Sequence, residues 1–294
     1  MLLVIDVGNT NTVLGIFRFL AAPAFAEAAS GHQLLAHWRV STNKMQTVDE
    51  YGVLFRTLLA NAGLDIAGIK GIIISSVVPP LDRTLREVCE RYFNLRPLFI
   101  EPGVKTGMAV HYNTPADVGA DRIVNAVAAF QKYGGPCIVV DFGTATTFDA
   151  ISAEGAYLGG AIAPGVGISS DALFEHAARL PRVEIREPER VIGTDTIASM
   201  QSGLFYGYLG LVEGILQRML AELGGTAKVI ATGGLGGLFG SHSSYISAVD
   251  DLLTLEGLHI IWERNQRPEA GSQKSADRSQ KSEARSQKSE ARSK

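Results

Sequence analysis

The residues of this chain able to do chemistry form a pattern that occurs twice. Asp6-Val7-Gly8-Asn9-Thr10-Asn11 and Asp141-Phe142-Gly143-Thr144-Ala145-Thr146 each join an aspartate to a glycine and a cluster of hydroxyl or amide side chains. The two aspartates are 135 residues apart. A glycine in such a turn removes the Cβ, so the backbone turns tightly and comes close to a phosphate. Successive N–H groups then form an anion nest, to which Thr10, Asn11, Thr144 and Thr146 add side-chain donors. An aspartate repels a phosphate, so one at each strand end makes sense if a cation lies between, as Mg²⁺ does when held through one or two carboxylates and waters. Asp-x-Gly alone is an ordinary turn signal. Its recurrence between apolar strands favours the phosphate reading.

Further groups stand outside the repeat. Ala231-Thr232-Gly233-Gly234-Leu235-Gly236-Gly237 follows Val229-Ile230 but has neither Rossmann nor P-loop spacing. It can set backbone against a flat base or ribose, or serve as a flexible helix entry. Gly119-Ala120-Asp121-Arg122 offers a short acid beside a guanidinium able to fork onto a carboxylate. Phosphoryl transfer needs positioning, charge stabilisation and one group to orient the attacking hydroxyl and take its proton, and Asp121 suits that task. It equally suits a helix N-cap, since Ile123, Val127 and Phe130 follow at helical spacing. Both can hold, because anions gather at a helix N-terminus. Arg122 also reads as a solvated surface charge, Tyr112 as an interface residue and Thr196 as a cap. His32, His37, His111, His176, His242 and His259 lack metal-ligand spacing and are read as structural.

Alternating strands and helices must position these groups. Leu2–Ile5 and Thr12–Phe17 read as a hairpin, and residues 19–33 as an irregular insertion before a third strand around residues 34–40. Residues 48–62 have helical spacing and stop at Gly63. A buried strand over 69–78 ends at Pro79-Pro80, a helix covers 81–92 and a short strand 98–100. Residues 137–140 and 147–151 then repeat the opening hairpin, so the chain carries an internal duplication. The segment from Gly203 to Leu223 is expected to form core and dimer surface.

Composition narrows the class. The chain has 294 residues, 46% hydrophobic and 19% charged, with 27 basic and 30 acidic residues for a net charge of −3. That length suggests two domains or one large one. Cys89 and Cys137 alone exclude a disulfide framework or a Cys-based zinc site. The acidic balance argues against nucleic acid. No segment reads as a secretory signal or a bilayer span, which predicts a soluble, cytoplasmic protein. Residues 266–294 contain no Val, Ile, Leu, Met, Phe, Tyr or Trp and carry three seven-residue repeats starting at Ser272, Ser279 and Ser286. They lack the apolar positions of a coiled coil and are expected to be a disordered tail.

Taken together, the two hairpins and the late Gly-Gly turn resemble the acetate and sugar kinase, heat-shock chaperone and actin superfamily. Further segments narrow the resemblance to type III pantothenate kinases: Thr106-Gly107-Met108, Gly119-Ala120-Asp121-Arg122, Gly159-Gly160-Ala161-Ile162-Ala163-Pro164-Gly165 and Thr196-Ile197-Ala198-Ser199-Met200-Gln201-Ser202-Gly203, with both hairpin motifs. The resemblance runs from Met1 to about Asn265. It implies an α/β fold of two duplicated ribonuclease-H-like, actin-like domains, residues 1–117 and 118–265, with mixed sheets, flanking helices and ATP in the cleft between them. The implied reaction is ATP-dependent phosphorylation of pantothenate, the committed entry to coenzyme A synthesis, by a homodimer. By similarity, Asp6, Val7, Gly8, Asn9, Thr10, Asn11, Thr12, Val13 and Thr144 would bind ATP, with Asp6 near Mg²⁺. Asp141 would hold a monovalent cation, K⁺ or NH₄⁺. Tyr112, Gly119, Ala120, Asp121, Arg122 and Thr196 would bind pantothenate, with Asp121 as general base. Neither nucleic acid nor membrane is an expected partner. Two rivals are another kinase or an exopolyphosphatase on the same fold, and an ATP-binding regulatory factor. The Gly-Ala-Asp-Arg and Thr196–Gly203 segments argue against the first, and retention of Asp6, Asp121 and Asp141 against the second.

Overall fold

A computed structural model describes residues 1–19 and 32–266. The chain folds as two five-stranded sheets of the same topology. In the first, β1 (Leu2–Val7) pairs antiparallel with β2 (Asn11–Phe19), and β2 with β3 (His32–Ser41). On its other side β1 pairs parallel with β4 (Gly71–Ser76), and β4 with β5 (Leu98–Phe99), giving the order β3-β2-β1-β4-β5. In the second sheet β6 (Cys137–Phe142), β7 (Ala145–Ile151), β8 (Tyr157–Pro164), β9 (Lys228–Gly233) and β10 (Ala248–Val249) repeat this as β10-β9-β6-β7-β8. The expected duplication therefore extends to all five strands, and the architecture is that of paired ribonuclease-H-like units.

Strand alternation sends side chains to opposite faces, and each face of each sheet has its own cover. Leu3, Ile5 and Val7 of β1 pack with Ile72 and Ile74 under α1 (Val48–Asn61) and α2 (Pro79–Phe93). Ile138 and Val140 of β6 pack with Phe148 and Val229 under α5 (Thr196–Glu222) and α6 (Gly236–Gly240). The two remaining faces turn toward each other. Leu2, Val4, Phe17 and Ile73 on one side, and Cys137, Val139, Ile151 and Ile230 on the other, share one core with α3 (Ala120–Tyr133) and α7 (Leu253–Gln266). α7 follows the second sheet in sequence yet packs on β1, β4 and β2 of the first, alongside α3. α4 (Val166–His176) lies outside this core, against β7 and α5.

Local chemistry explains several boundaries. α1 opens on a capping box in which Thr47 receives the Glu50 N–H and Glu50 receives the Thr47 N–H. Pro79 and Pro80 do not merely end a strand: both enter the first turn of α2, where a missing N–H costs nothing. Phe19 and His32-Gln33 continue β2 and β3 rather than belonging to an insertion. The rest of that predicted insertion and residues 267–294 of the predicted tail lie outside the described residues. β8 was not anticipated as a strand, because its glycine-rich sequence has low strand propensity and pairing to β7 overrides it. Among the described residues no helix is long and apolar enough to cross a membrane.

Candidate active site

The two Asp-x-Gly turns face each other where β1 and β6 end. Asp6 is paired in register with Ser75 and Val13, and Asp141 with Thr232 and Thr147, so both acids occupy equivalent places between a parallel and an antiparallel neighbour. Gly8 N–H donates to Asn11 O at 3.0 Å and Gly143 N–H to Ala145 O at 3.0 Å, closing the two turns. Thr10 and Thr144 meet across the gap, hydroxyl to hydroxyl at 2.8 Å. The end of β3 braces the first turn, since the Thr42 hydroxyl donates to Gly8 O at 2.7 Å and its N–H to Thr10 O at 2.9 Å. Thr12 is buried against Thr42, hydroxyl to hydroxyl at 2.8 Å, and Val7 lies in the core. Of the first motif, Asn9 and Thr10 reach the surface.

The glycine requirement falls elsewhere than expected. Neither Gly8 nor Gly143 has positive φ, and a Cβ would meet Asn11 O at 3.1 Å and Ala145 O at 3.4 Å. Gly233, at φ +88°, is the obligatory one: a Cβ there would lie 2.4 Å from Asp141 Oδ1. The Gly233-Gly234 turn thus gives Asp141 its room and leads into α6.

Asp121 enters from α3. The helix is capped by Gly119, and Asp121 lies inside its first turn with Oδ1 accepting the Arg122 N–H at 2.8 Å. The expected N-cap role is therefore corrected: an N-cap lies one residue before the first helical one, and here that residue is Gly119. The same correction applies to Thr196, which opens α5, while Asp195 caps it by accepting the Ala198 N–H at 2.9 Å. Arg122 is no surface charge. It is buried, and its Nε donates to Asp149 Oδ1 at 2.7 Å. Asp149 also accepts from Tyr157 at 2.8 Å and from Thr147 at 3.3 Å. Arg122 Nη2 is buried with no hydrogen-bond partner among the described residues. Tyr112, 40% exposed, stands 6.4 Å from the Tyr157 ring, between centroids, and closes this corner.

Electrostatics tie the acids together. Burial, and then repulsion from Asp121 and Asp141, push Asp6 up to about 7; the neighbouring Ser75 hydroxyl and the Arg39 charge pull the other way. Asp141 is likewise pushed up to about 7 by burial and by Asp121 and Asp149, against Asn125 and Arg39. Burial raises Asp121, and it raises Asp149 to about 6 despite Arg122. Half-buried carboxylates that repel one another, lined by hydroxyls, fit a hard cation, which would relieve that repulsion. Among the described residues no three carboxylate, imidazole or thiol groups enclose a metal by themselves. A cation here would complete its shell with water and phosphate oxygens.

Thr196 is not gathered with these groups. It lines a separate cleft of about 660 Å³ with Leu173, Leu180, Asp195, Ser199 and Met200, into which no hairpin aspartate opens. Conversely, Asp149, Tyr157, Arg39, Asn125 and Thr254 belong to the site and were not anticipated. The available signal was polarity out of place: Asp149 in the run Phe148–Ile151, and Asn125 within Ile123–Ala129.

The family model described as type III pantothenate kinase matches residues 2–218. A type III pantothenate kinase of Koribacter versatilis is 67% identical over 266 residues, covering 90% of this chain and 96% of the relative. One from Moorella thermoacetica is 56% identical over 265 residues, covering 90% and 100%. Among solved structures, a protein assigned to the Baf family of transcriptional activators from Campylobacter jejuni superposes with TM-score 0.54 at 20% identity, covering 90% of this chain and 98% of the other. A protein assigned as a 2-dehydro-3-deoxygalactonokinase from Sinorhizobium meliloti gives 0.51 at 15%, covering 92% and 99%. At such identities the structures bear on the fold alone. The twin hairpins, the Asp121–Arg122 helix start and these matches converge, and the chain belongs to the type III pantothenate kinase family.

Proposed function

We propose that this chain transfers the γ-phosphoryl group of ATP to the primary hydroxyl of pantothenate, giving 4′-phosphopantothenate and ADP at the start of coenzyme A synthesis. The observation that carries the reading is the approach of Asp6, Asp121 and Asp141 beneath two hairpin tips joined through Thr10 and Thr144, in a chain of this family. The pantothenate oxygen bonds to the γ-phosphorus as the bond to the β,γ-bridging oxygen breaks, and the hydroxyl proton passes to Asp121. Burial raises the proton affinity of Asp121, which suits a general base. Arg122, anchored by Asp149, supplies positive charge for the pantothenate carboxylate, with Tyr112, Gly119 and Ala120 as the wall. Gly8–Asn11 and Thr144 receive the phosphates, while Val7, Thr12 and Val13 hold the turn in place.

Asp6 would hold Mg²⁺ through water and Asp141 would hold K⁺ or NH₄⁺; these ions supply positive charge to the phosphates and the transferring group. We also read the active form as a cytoplasmic homodimer of two-domain chains divided at residues 117/118. Ile168, Phe174, Val191, Ile192 and Ile197 are exposed apolar side chains on α4, α5 and the loop between them, a surface suited to a second copy. Thr196 lies on that surface, so its contact with pantothenate would be made across the two chains. The test is a coupled ADP-release assay with ATP, Mg²⁺ and pantothenate, run with K⁺ and with Na⁺ alone. Pantothenate-dependent turnover requiring K⁺ is expected. A folded, ATP-binding protein without turnover under any cation overturns the assignment.

A further inference from the structure

Asn125 is a buried amide that the reaction as written does not use. It is 1% exposed and stands one helical turn after Asp121, on the same face of α3. Its Nδ2 donates to Asp141 Oδ2 at 3.1 Å, and its Oδ1 accepts the Thr254 hydroxyl from α7 at 2.7 Å. The direction of each bond follows from chemistry. An ionised carboxylate only accepts, so while Asp141 is charged the amide presents its NH₂ to it. That leaves the carbonyl facing α7, where a hydroxyl can donate to it. A flipped amide would set its oxygen against the carboxylate oxygen of Asp141. α7 comes this close because Gly257, on the turn after Thr254, has no Cβ; one there would lie 2.3 Å from the Val124 carbonyl oxygen, beside Asn125.

We propose that Asn125 is a positioning residue that aims the Asp141 carboxylate, and that Thr254 locks the amide that does so. α7 thereby helps to align the site. The inference rests on the proposed function for its kinetic readout, and on Asp141 as the monovalent-cation ligand for its second.

The experiment compares the full-length wild type with Thr254→Val, Thr254→Ser and Asn125→Asp. Valine keeps the shape of threonine and loses only the hydroxyl, so a packing role alone would leave Thr254→Val unaffected. The expected result for Thr254→Val is a kcat about tenfold lower with the KM for pantothenate unchanged. Thr254→Ser should restore most of the loss. Asn125→Asp, which sets a like charge against Asp141, should lower kcat about a hundredfold. The second readout needs no turnover: the K⁺ concentration that half-saturates the rise in thermal unfolding temperature should increase in Thr254→Val and not in Thr254→Ser. A Thr254→Val protein matching wild type in both readouts, or equal losses in Thr254→Val and Thr254→Ser, overturns the inference. If the wild type turns over no pantothenate, the proposed function fails while the K⁺ titration still decides the role of Asn125. A wild type without any K⁺ response overturns the inference. Should Asn125→Asp not fold, the Thr254 pair alone decides.

Discussion

Asp121 combines proximity to two other acids with a position in the first turn of a helix, where the backbone N–H of Arg122 already engages one of its oxygens. One oxygen is thus held while the other remains for a substrate hydroxyl. Replacing it by Asn preserves shape and removes the proton acceptor. We expect Asp121→Asn to lower kcat by about 10²–10⁴-fold, with circular dichroism and ATP-analogue binding unchanged. Asp149 acts through Arg122. Asp149→Asn leaves a buried guanidinium without its counter-charge, so the KM for pantothenate should rise with little change for ATP, and a denaturant titration should show a loss of about 3 kcal/mol. The roles of these two residues were unequally legible. Asp6 and Asp141 stand out by residue type beside glycine and threonine, a local property of the chain, whereas Asp121 stands out only through the family resemblance. Asp149 and Asn125 acquire meaning only through partners far along the chain, Arg122 for one and Thr254 for the other, and no local pattern announces those pairings.

At the scale of elements, α7 carries the most consequence. Its approach to α3 depends on Gly257, so Gly257→Ala must displace backbone rather than a flexible side chain. We expect a cost of about 1–3 kcal/mol, seen as a lower unfolding temperature. A fall in kcat should accompany it, because Thr254 is carried away from Asn125. The same helix places His259 in the core against Phe17, Phe19 and His32, whose ring centroids lie 4.8, 6.0 and 4.0 Å away. Burial, then the charge of His32, hold His259 down to about 4, with Glu263 at 3.7 Å from Nε2. Its folded pKa lies below the unfolded value near 6.5, so the unfolded state binds the extra proton between those values. The stability it contributes is present above pH 6.5 and is lost as pH falls toward 4, about 3 kcal/mol in all. His259→Phe should show a correspondingly smaller loss across that window in denaturant titrations. Most strands and helices followed from periodicity and turn residues. β8 did not, because its glycines serve pairing and close packing: a Cβ on Gly160 would lie 1.7 Å from Phe148 O.

For the whole molecule, the duplicated hairpins foretold the paired sheets, since a repeat in sequence is visible without any knowledge of contacts. The shared layer between the sheets was not visible, because it depends on which sheet α7 covers and nothing local to residues 253–266 specifies that. The outer surface bears the proposed self-association. Val191 is 62% and Ile192 82% exposed, a large apolar cost for a lone chain. Light scattering should therefore give twice the 31.4 kDa chain mass, and the double substitution Val191→Glu with Ile192→Glu should give the single mass. The reach of α7 back to β1 also sets an order on biosynthesis. Leu2, Val4, Phe17 and Ile73 leave the ribosome early, but Leu255, Leu258 and Ile261, which cover them, are translated long afterwards. Until then α3 alone covers part of that face, and the nascent chain keeps the rest exposed, an apolar surface of the kind chaperones hold and proteases recognise. A polypeptide that stops before Leu253 lacks the three α7 side chains that complete this cover.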